Sequence, residues 1–170
     1  MISYVILAVL CAGSLAVPVP QNLGFYSFSV PVGGGSGQSF ATQGEGRITA
    51  VRMWENSNAY ITGFQLRYEN IWCAIVGKKV GSTQEMELHD GETIVQLSGK
   101  YHTNYIYQLI FVTSTGRMLM AGQPTQRSFN MYPKHPKAEL IMLSGRFNGF
   151  GITELGAHWQ RVNIDPRETK

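Results

Sequence analysis

The sequence predicts an all-β domain built from three Greek-key-like sheets, and three observations carry that reading. The stretch Leu97-Ser98-Gly99-Lys100-Tyr101 returns 46 residues later as Leu143-Ser144-Gly145-Arg146-Phe147, with the same residue types in the same order. One more period back lies an alternating run, Ile48-Thr49-Ala50-Val51-Arg52-Met53-Trp54, followed by Phe64-Gln65-Leu66-Arg67-Tyr68. A fixed period in this range marks a repeated supersecondary unit. Nowhere does the chain show a sustained helical period with caps. Each unit has an apolar face that can be buried only against the other two, so the three pack together with a pseudo-threefold relation. Val51, Val95 and Ile141 are expected at comparable inward positions.

Taken in order, residues Ile2 to Gly13 are apolar, and Ser14 and Ala16 are small residues suited to a cut before Val17. This reads as a secretory signal peptide over residues 1–16, with cleavage falling as late as residue 20. Pro18 and Pro20 end the run well short of the ~20 apolar residues a membrane span needs, and no later run is long enough. The domain itself is expected over 25–160. Short segments rich in β-branched and aromatic residues read as strands: 24–30, 48–54, 64–68, 93–98, 105–113, 118–121 and 138–143. Turn signals separate them at 33–37, Asp90-Gly91, Ser114-Thr115-Gly116 and Tyr132-Pro133-Lys134-His135-Pro136. Residues 161–170 form a charged tail.

Cys11 falls in the expected signal, which leaves Cys73 alone in the mature chain. A secreted protein with one cysteine either buries it or pairs it between chains, so an inert thiol and a homodimer disulfide both stay open. No Lys, Arg, Asp or Glu precedes Glu45, so the net charge of +3 belongs wholly to the domain. That mild excess, with no basic helix and no RNA-binding aromatic signature, argues against nucleic acid. Lys78, Lys79, Lys100, Arg117, Arg127, Lys134, Lys137 and Arg146 lie near turns, where they suit a sulfated or acidic polysaccharide. His89, His102, His135 and His158 stand neither in a metal-ligand spacing nor beside a nucleophile with its base, so neither catalysis nor a metal or other cofactor is expected.

The runs Gly33-Gly34-Gly35-Ser36-Gly37, Gly46-Arg47-Ile48-Thr49-Ala50-Val51-Arg52, Gly63-Phe64-Gln65-Leu66-Arg67-Tyr68, Leu88-His89-Asp90-Gly91-Glu92, Leu97 to Tyr101, Leu109-Ile110-Phe111-Val112-Thr113 and Gly156-Ala157-His158-Trp159 together resemble the jacalin-related lectins. The likeness is strongest to the animal, zymogen-granule-lectin-like branch. It covers residues 25–160 in order. The resemblance implies a β-prism of three four-stranded sheets and recognition of glycans or glycoconjugates by three loops at one end.

The first loop would be the glycine run containing Gly33, Gly34 and Gly35, where backbone amides can approach a ligand closely. The second would hold Lys100, Tyr101, His102 and Asn104, offering donors to hydroxyls and an aromatic face for a sugar ring. The third would run through Asn148, Gly149, Phe150, Gly151, Ile152 and Thr153. Mannose-binding relatives carry a Gly-x-x-x-Asp motif there, and alignment on Gly156-Ala157-His158-Trp159 sets Gly149 on its glycine and Thr153 on its aspartate. Thr62 and Tyr107, at the corresponding places in the other units, supply no carboxylate either. Losing a charge-assisted bond costs on the order of 1–3 kcal/mol. Two readings follow: a secreted, non-catalytic lectin, and a secreted matrix or interaction protein that keeps the fold without mannose recognition.

Overall fold

The computed structural model describes residues 25–57 and 59–161, so the expected signal peptide and the tail beyond residue 161 lie outside the described residues. Fourteen strands appear in chain order: β1 (Tyr26–Phe28), β2 (Val32–Gly33), β3 (Gln38–Ala41), β4 (Ile48–Glu55), β5 (Ile61–Tyr68), β6 (Ile71–Trp72), β7 (Val76–Gly77), β8 (Ser82–Glu87), β9 (Ile94–Tyr101), β10 (Ile106–Thr113), β11 (Met118–Gly122), β12 (Arg127–Met131), β13 (Ala138–Phe147) and β14 (Ile152–Arg161). No helix of the described residues is long and apolar enough to cross a membrane.

Three antiparallel sheets result, each centred on one long hairpin. The first has the order β6-β5-β4-β8 with β7 also on β5, the second β11-β10-β9-β12, and the third β1-β14-β13-β3 with β2 also on β14. Four positions recur in every sheet. In the first and third, one edge is broken into two short segments, β6 and β7 or β1 and β2, which raises their strand count to five. In two sheets the hairpin comes first and its flanking strands follow. The third reverses this: β1 to β3 are laid down first, and β13 and β14 arrive at the end of the domain to complete the sheet. Both ends of the domain therefore close one sheet, a long-range pairing that the 46-residue repeat does not reveal.

The three inner faces meet along the prism axis. Equivalent residues form layers there: Val51, Leu97 and Leu143 are all fully buried, as are Ile61, Ile106 and Ile152, then Phe64, Leu109 and Leu155. The next layer is Leu66, Phe111 and Ala157, in which one large ring is matched by one small residue so that the layer fills without overpacking. Burial of each large apolar side chain contributes roughly 1.5–3 kcal/mol. The expected inward set was off by two residues for two of its members. Val95 and Ile141 align with Thr49, and all three are half-exposed. The residues that share the axis with Val51 are Leu97 and Leu143, because the period, rather than apolarity alone, sets which side chains are equivalent.

The end opposite the hairpin tips is tied by Glu92, whose side chain is 1% exposed. Its carboxylate accepts hydrogen bonds from the His89 amide at 2.8 Å, Thr115 Oγ1 at 2.5 Å and Arg117 Nη1 at 2.7 Å. The β8–β9 connection is thereby joined to the β10–β11 turn. Burial pushes this carboxyl's pKa up, but the bonds from His89, Thr113, Thr115 and Arg117 outweigh that and hold it at about 2.

Candidate functional site

The three hairpin tips lie together at the other end. Each closes with one amide-to-carbonyl bond at 3.0 Å: His102 donates its amide to the Tyr105 carbonyl and Asn148 to Gly151, three residues on, and Asn56 donates to Tyr60 across a tip one residue longer. Around them run three five-residue connections at 33–37, 77–81 and 122–126. Their geometry repeats as well. Gly34 donates its amide to the Thr153 carbonyl at 3.0 Å, Lys78 to Thr62 at 2.9 Å and Gln123 to Tyr107 at 2.7 Å. The last residue of each connection has positive φ: Gly37 at 91°, Gly81 at 95° and Gln126 at 81°. The third is not glycine, so that connection adopts the left-handed conformation against the ordinary preference of an L side chain.

The register explains why these carbonyls are available. Each hairpin carries an irregularity at the same height, where the pairing skips one residue of the second arm. The skipped residues are Thr62, Tyr107 and Thr153. A bulge turns its residue out of the ladder and re-aims it, here towards the flanking connection. Thr153 Oγ1 donates to the Ser36 carbonyl at 2.5 Å, and Thr62 Oγ1 donates to the Val80 carbonyl at 2.6 Å, an equivalent bond in another sheet. Tyr107 is too long for this, and its hydroxyl exchanges hydrogen bonds with the Asn104 side chain instead. The residue on the aspartate position of mannose-binding relatives is thus fully buried, and its hydroxyl is already used to tether the glycine loop.

The structure brings the first and third expected loops together and seats part of the second beside them. A Cβ added to Gly34 would collide with the Thr103 carbonyl, and one added to Gly37 would collide with the Phe147 carbonyl. Gly33, Gly34 and Gly35 are thereby held against both neighbours, with the amides of Gly34 and Gly35 both directed at the Thr153 carbonyl. In the second loop, Asn104 Oδ1 accepts the Tyr105 amide and His102 Nδ1 contacts Thr103 Oγ1. In the third, Asn148 Oδ1 accepts the amides of Phe150 and Gly151, while its Nδ2 donates to the Tyr105 hydroxyl at 3.4 Å. Gly149 is open, and Phe150 is 67% exposed.

Three of the expected residues sit differently. Lys100 and Tyr101 end strand β9 and do not belong to the loop: Lys100 Nζ donates to Ser128 Oγ at 2.8 Å, and the Tyr101 ring packs edge-on against Phe129. Ile152 is a core residue. Cys73 is a free, half-buried thiol that donates to the Ala74 carbonyl, and burial pushes its pKa up.

Sequence reasoning singled out Lys78 and Lys79 as cations near a turn but did not place the first-sheet connection beside the glycine loop. A cleft of about 360 Å³ is lined by Gly37, Gln38, Gly77, Lys78, Phe147, Asn148 and Gly149. Lys78 Nζ lies 5.9 Å from the centre of the exposed Phe150 ring, and Lys79 Nζ lies 5.9 Å from that of Trp54. The repeated dipeptide Val32-Gly33 and Val76-Gly77, both closing short edge segments, was the signal that could have found it. Glu154, next to the bulged Thr153, is the second omission, and it lies against the glycine loop at Gly35.

The end therefore combines amide and hydroxyl groups, an exposed ring and a lysine around a cleft, a set suited to hydroxyl-bearing ligands. Comparison with known proteins agrees. The jacalin-like lectin domain family matches residues 29–158. Zymogen granule membrane protein 16 of Homo sapiens is 40% identical over 162 residues, covering 94% of each chain. The prostatic spermine-binding protein of Mus musculus is 26% identical over 137 residues, covering 79% of this chain and 68% of that one. Among solved structures, a prostate-specific WGA16 glycoprotein lectin superposes with a TM-score of 0.69 at 29% identity, over 78% of this chain and 97% of that one. A single-chain recombinant jacalin superposes with a TM-score of 0.66 at 14% identity, over 81% and 95%, which shows the shared fold. By the family match and by its closeness to the zymogen granule proteins, this chain belongs to the jacalin-like lectin domain family, with the β-prism fold of that family.

Proposed function

We propose that this chain is a secreted, non-catalytic lectin whose domain spans 25–160 and which holds glycans at the loop-bearing end of the prism. The observation that carries the reading is the convergence of the glycine loop at Gly37, the first-sheet connection at Gly77 and Lys78, and the third hairpin tip at Phe147 to Gly149 around one cleft in a chain of lectin family. Asn104, Asn148 and the loop backbone supply hydrogen-bonding groups, and Phe150 supplies an apolar face for a sugar ring. The apolar segment at 1–16 and the zymogen granule names of the relatives support passage through the secretory pathway. A glycan array with competition by free monosaccharides tests the reading. Selective binding that a free sugar displaces is expected; an array without signal from folded protein overturns it, leaving the interaction-protein alternative.

One observation favours a second ligand class. Lys78 lines the cleft with its cation over the Phe150 ring, and Lys79 follows it on the same 77–81 connection with its cation 5.9 Å from the centre of the Trp54 ring. Sulfated or acidic polysaccharide is the fitting partner. Retention on heparin should then fall steeply with salt, since the attraction is screened over about 10 Å at 0.1 M. Lys78→Glu with Lys79→Glu should abolish retention, whereas Lys100→Glu should change it less because Lys100 is bonded to Ser128. Unchanged retention in the double variant removes this loop from the site.

A further inference from the structure

We infer that Glu154 and Arg146 form a recognition pair beside the glycine loop, supplying the carboxylate that Thr153 lacks and selecting a neutral hexose through two adjacent hydroxyls. The inference rests on the carbohydrate-binding reading above and names the ligand class and two further residues of that site.

Its basis is the bulge at Thr153. Because Thr153 is skipped in the ladder and turned towards Ser36, the next residue returns to register with its side chain on the outer face of the third sheet. There Glu154 pairs with Gly33 on one side and with Arg146 on the other, and Arg146 pairs with Ser39. One row across four strands thus reads glycine, carboxylate, guanidinium, hydroxyl. The glycine loop bends over this row. A Cβ on Gly35 would collide with Glu154 Oε2 and come within 3.5 Å of Arg146 Cδ, so the loop reaches the carboxylate only because Gly35 has no side chain.

The two charges are not spent on the protein. Among the described residues, no hydrogen bond or ion pair engages the Glu154 carboxylate, and Arg146 Nε is buried without a partner. The equivalent rows of the other sheets differ. In the first sheet the places of Arg146 and Glu154 are taken by Trp54 and Gly63; in the second they are taken by Lys100 and Gln108, which bond to Ser128 and to Met120 Sδ. Only the row beside the glycine loop carries both an acceptor-only and a donor-only group with free capacity.

That combination decides the ligand class. An ionised carboxylate accepts from two neighbouring hydroxyls, and a guanidinium donates to ring or hydroxyl oxygens. A neutral polyol satisfies both groups without adding charge. A uronate or sulfated sugar would set its own anion against Glu154, so this row and the lysine-bearing cleft at 77–81 select different chemistries.

The test is calorimetric titration of the wild-type protein, Glu154→Gln and Arg146→Gln with mannose, galactose, glucose and N-acetylglucosamine, alongside a glycan array and thermal melts of each variant. Wild type should bind at least one neutral sugar. Glu154→Gln should lower that affinity about tenfold or more, Arg146→Gln should weaken it in the same direction, and the melts should stay close to wild type. Wild-type affinity in a folded Glu154→Gln protein overturns the pair while leaving the lectin reading intact, and so does binding confined to sulfated glycans. Absence of any glycan binding by wild type overturns both. If Glu154→Gln melts early, the Arg146→Gln titration decides by itself.

Discussion

Tyr60 stacks on Tyr105, with ring centroids 4.1 Å apart and planes 14° from parallel, at the centre of the loop-bearing end. The two residues close equivalent hairpins, and the third member of the set is Gly151. Threefold repetition would bring three rings to one axis. The glycine resolves the crowding, since a Cβ at Gly151 would meet the Ile61 carbonyl at 2.6 Å and the Tyr60 ring at 2.8 Å. Gly151→Ala should therefore destabilise the domain by about 1–3 kcal/mol, whereas Gly149→Ala, which meets nothing, should be close to neutral. Equal melting temperatures for the two variants would refute this account of the symmetry break.

The paired tethers of Thr62 and Thr153 give a second expectation. Thr153→Val keeps the shape but removes the donor to Ser36, and should cost about 1 kcal/mol with faster amide exchange confined to 33–37. Thr62→Val should do the same at 77–81 through loss of the bond to Val80. Serine at either place should behave as wild type. The claim is lost if both connections exchange at wild-type rates in the valine variants.

Glu92 makes stability depend on acid. Its folded pKa, about 2, lies below the ordinary value of 4.5, so its contribution is fully present above about 4.5 and is lost as pH falls towards 2. Glu92→Gln should lower the melting temperature at neutral pH and flatten its decline across that window. A parallel decline in wild type and variant would assign the acid sensitivity elsewhere.

Cys73 should react slowly. Burial raises its pKa, so the thiolate is scarce at neutral pH and alkylation should accelerate only above the usual thiol range. Secreted protein should run as a monomer on non-reducing electrophoresis. A dimer that collapses on reduction would show that an intermolecular disulfide overrides this inertness.

What the sequence by itself determined was the repeated unit and its β character. The matched stretches at Leu97–Tyr101 and Leu143–Phe147 are inner strands on one axis, and Ile61, Ile106 and Ile152 repeat because each begins the second arm of a hairpin and must enter the same core. Periodicity and turn residues are local properties, legible without the fold. The family resemblance likewise stood on residues in order. Register was less accessible: Val95 and Ile141 look as apolar as Leu97 and Leu143, and only the pairing shows that they face outward.

Tertiary structure alone decided how the candidate site is assembled. One skipped residue in each hairpin sends Thr153 inward to Ser36 and Glu154 outward beside Arg146, and nothing in the local sequence marks a bulge. The closing of the third sheet by strands from both ends of the domain brings Gly33–Gly37 against Thr103 and Phe147, residues about 70 and 110 positions away. Lys78 reaches Phe150 for the same reason. Contacts of this range depend on where the prism places each connection, because side chains that recognise a ligand are assembled across sheets, whereas the pattern that builds each sheet is written along one strand at a time.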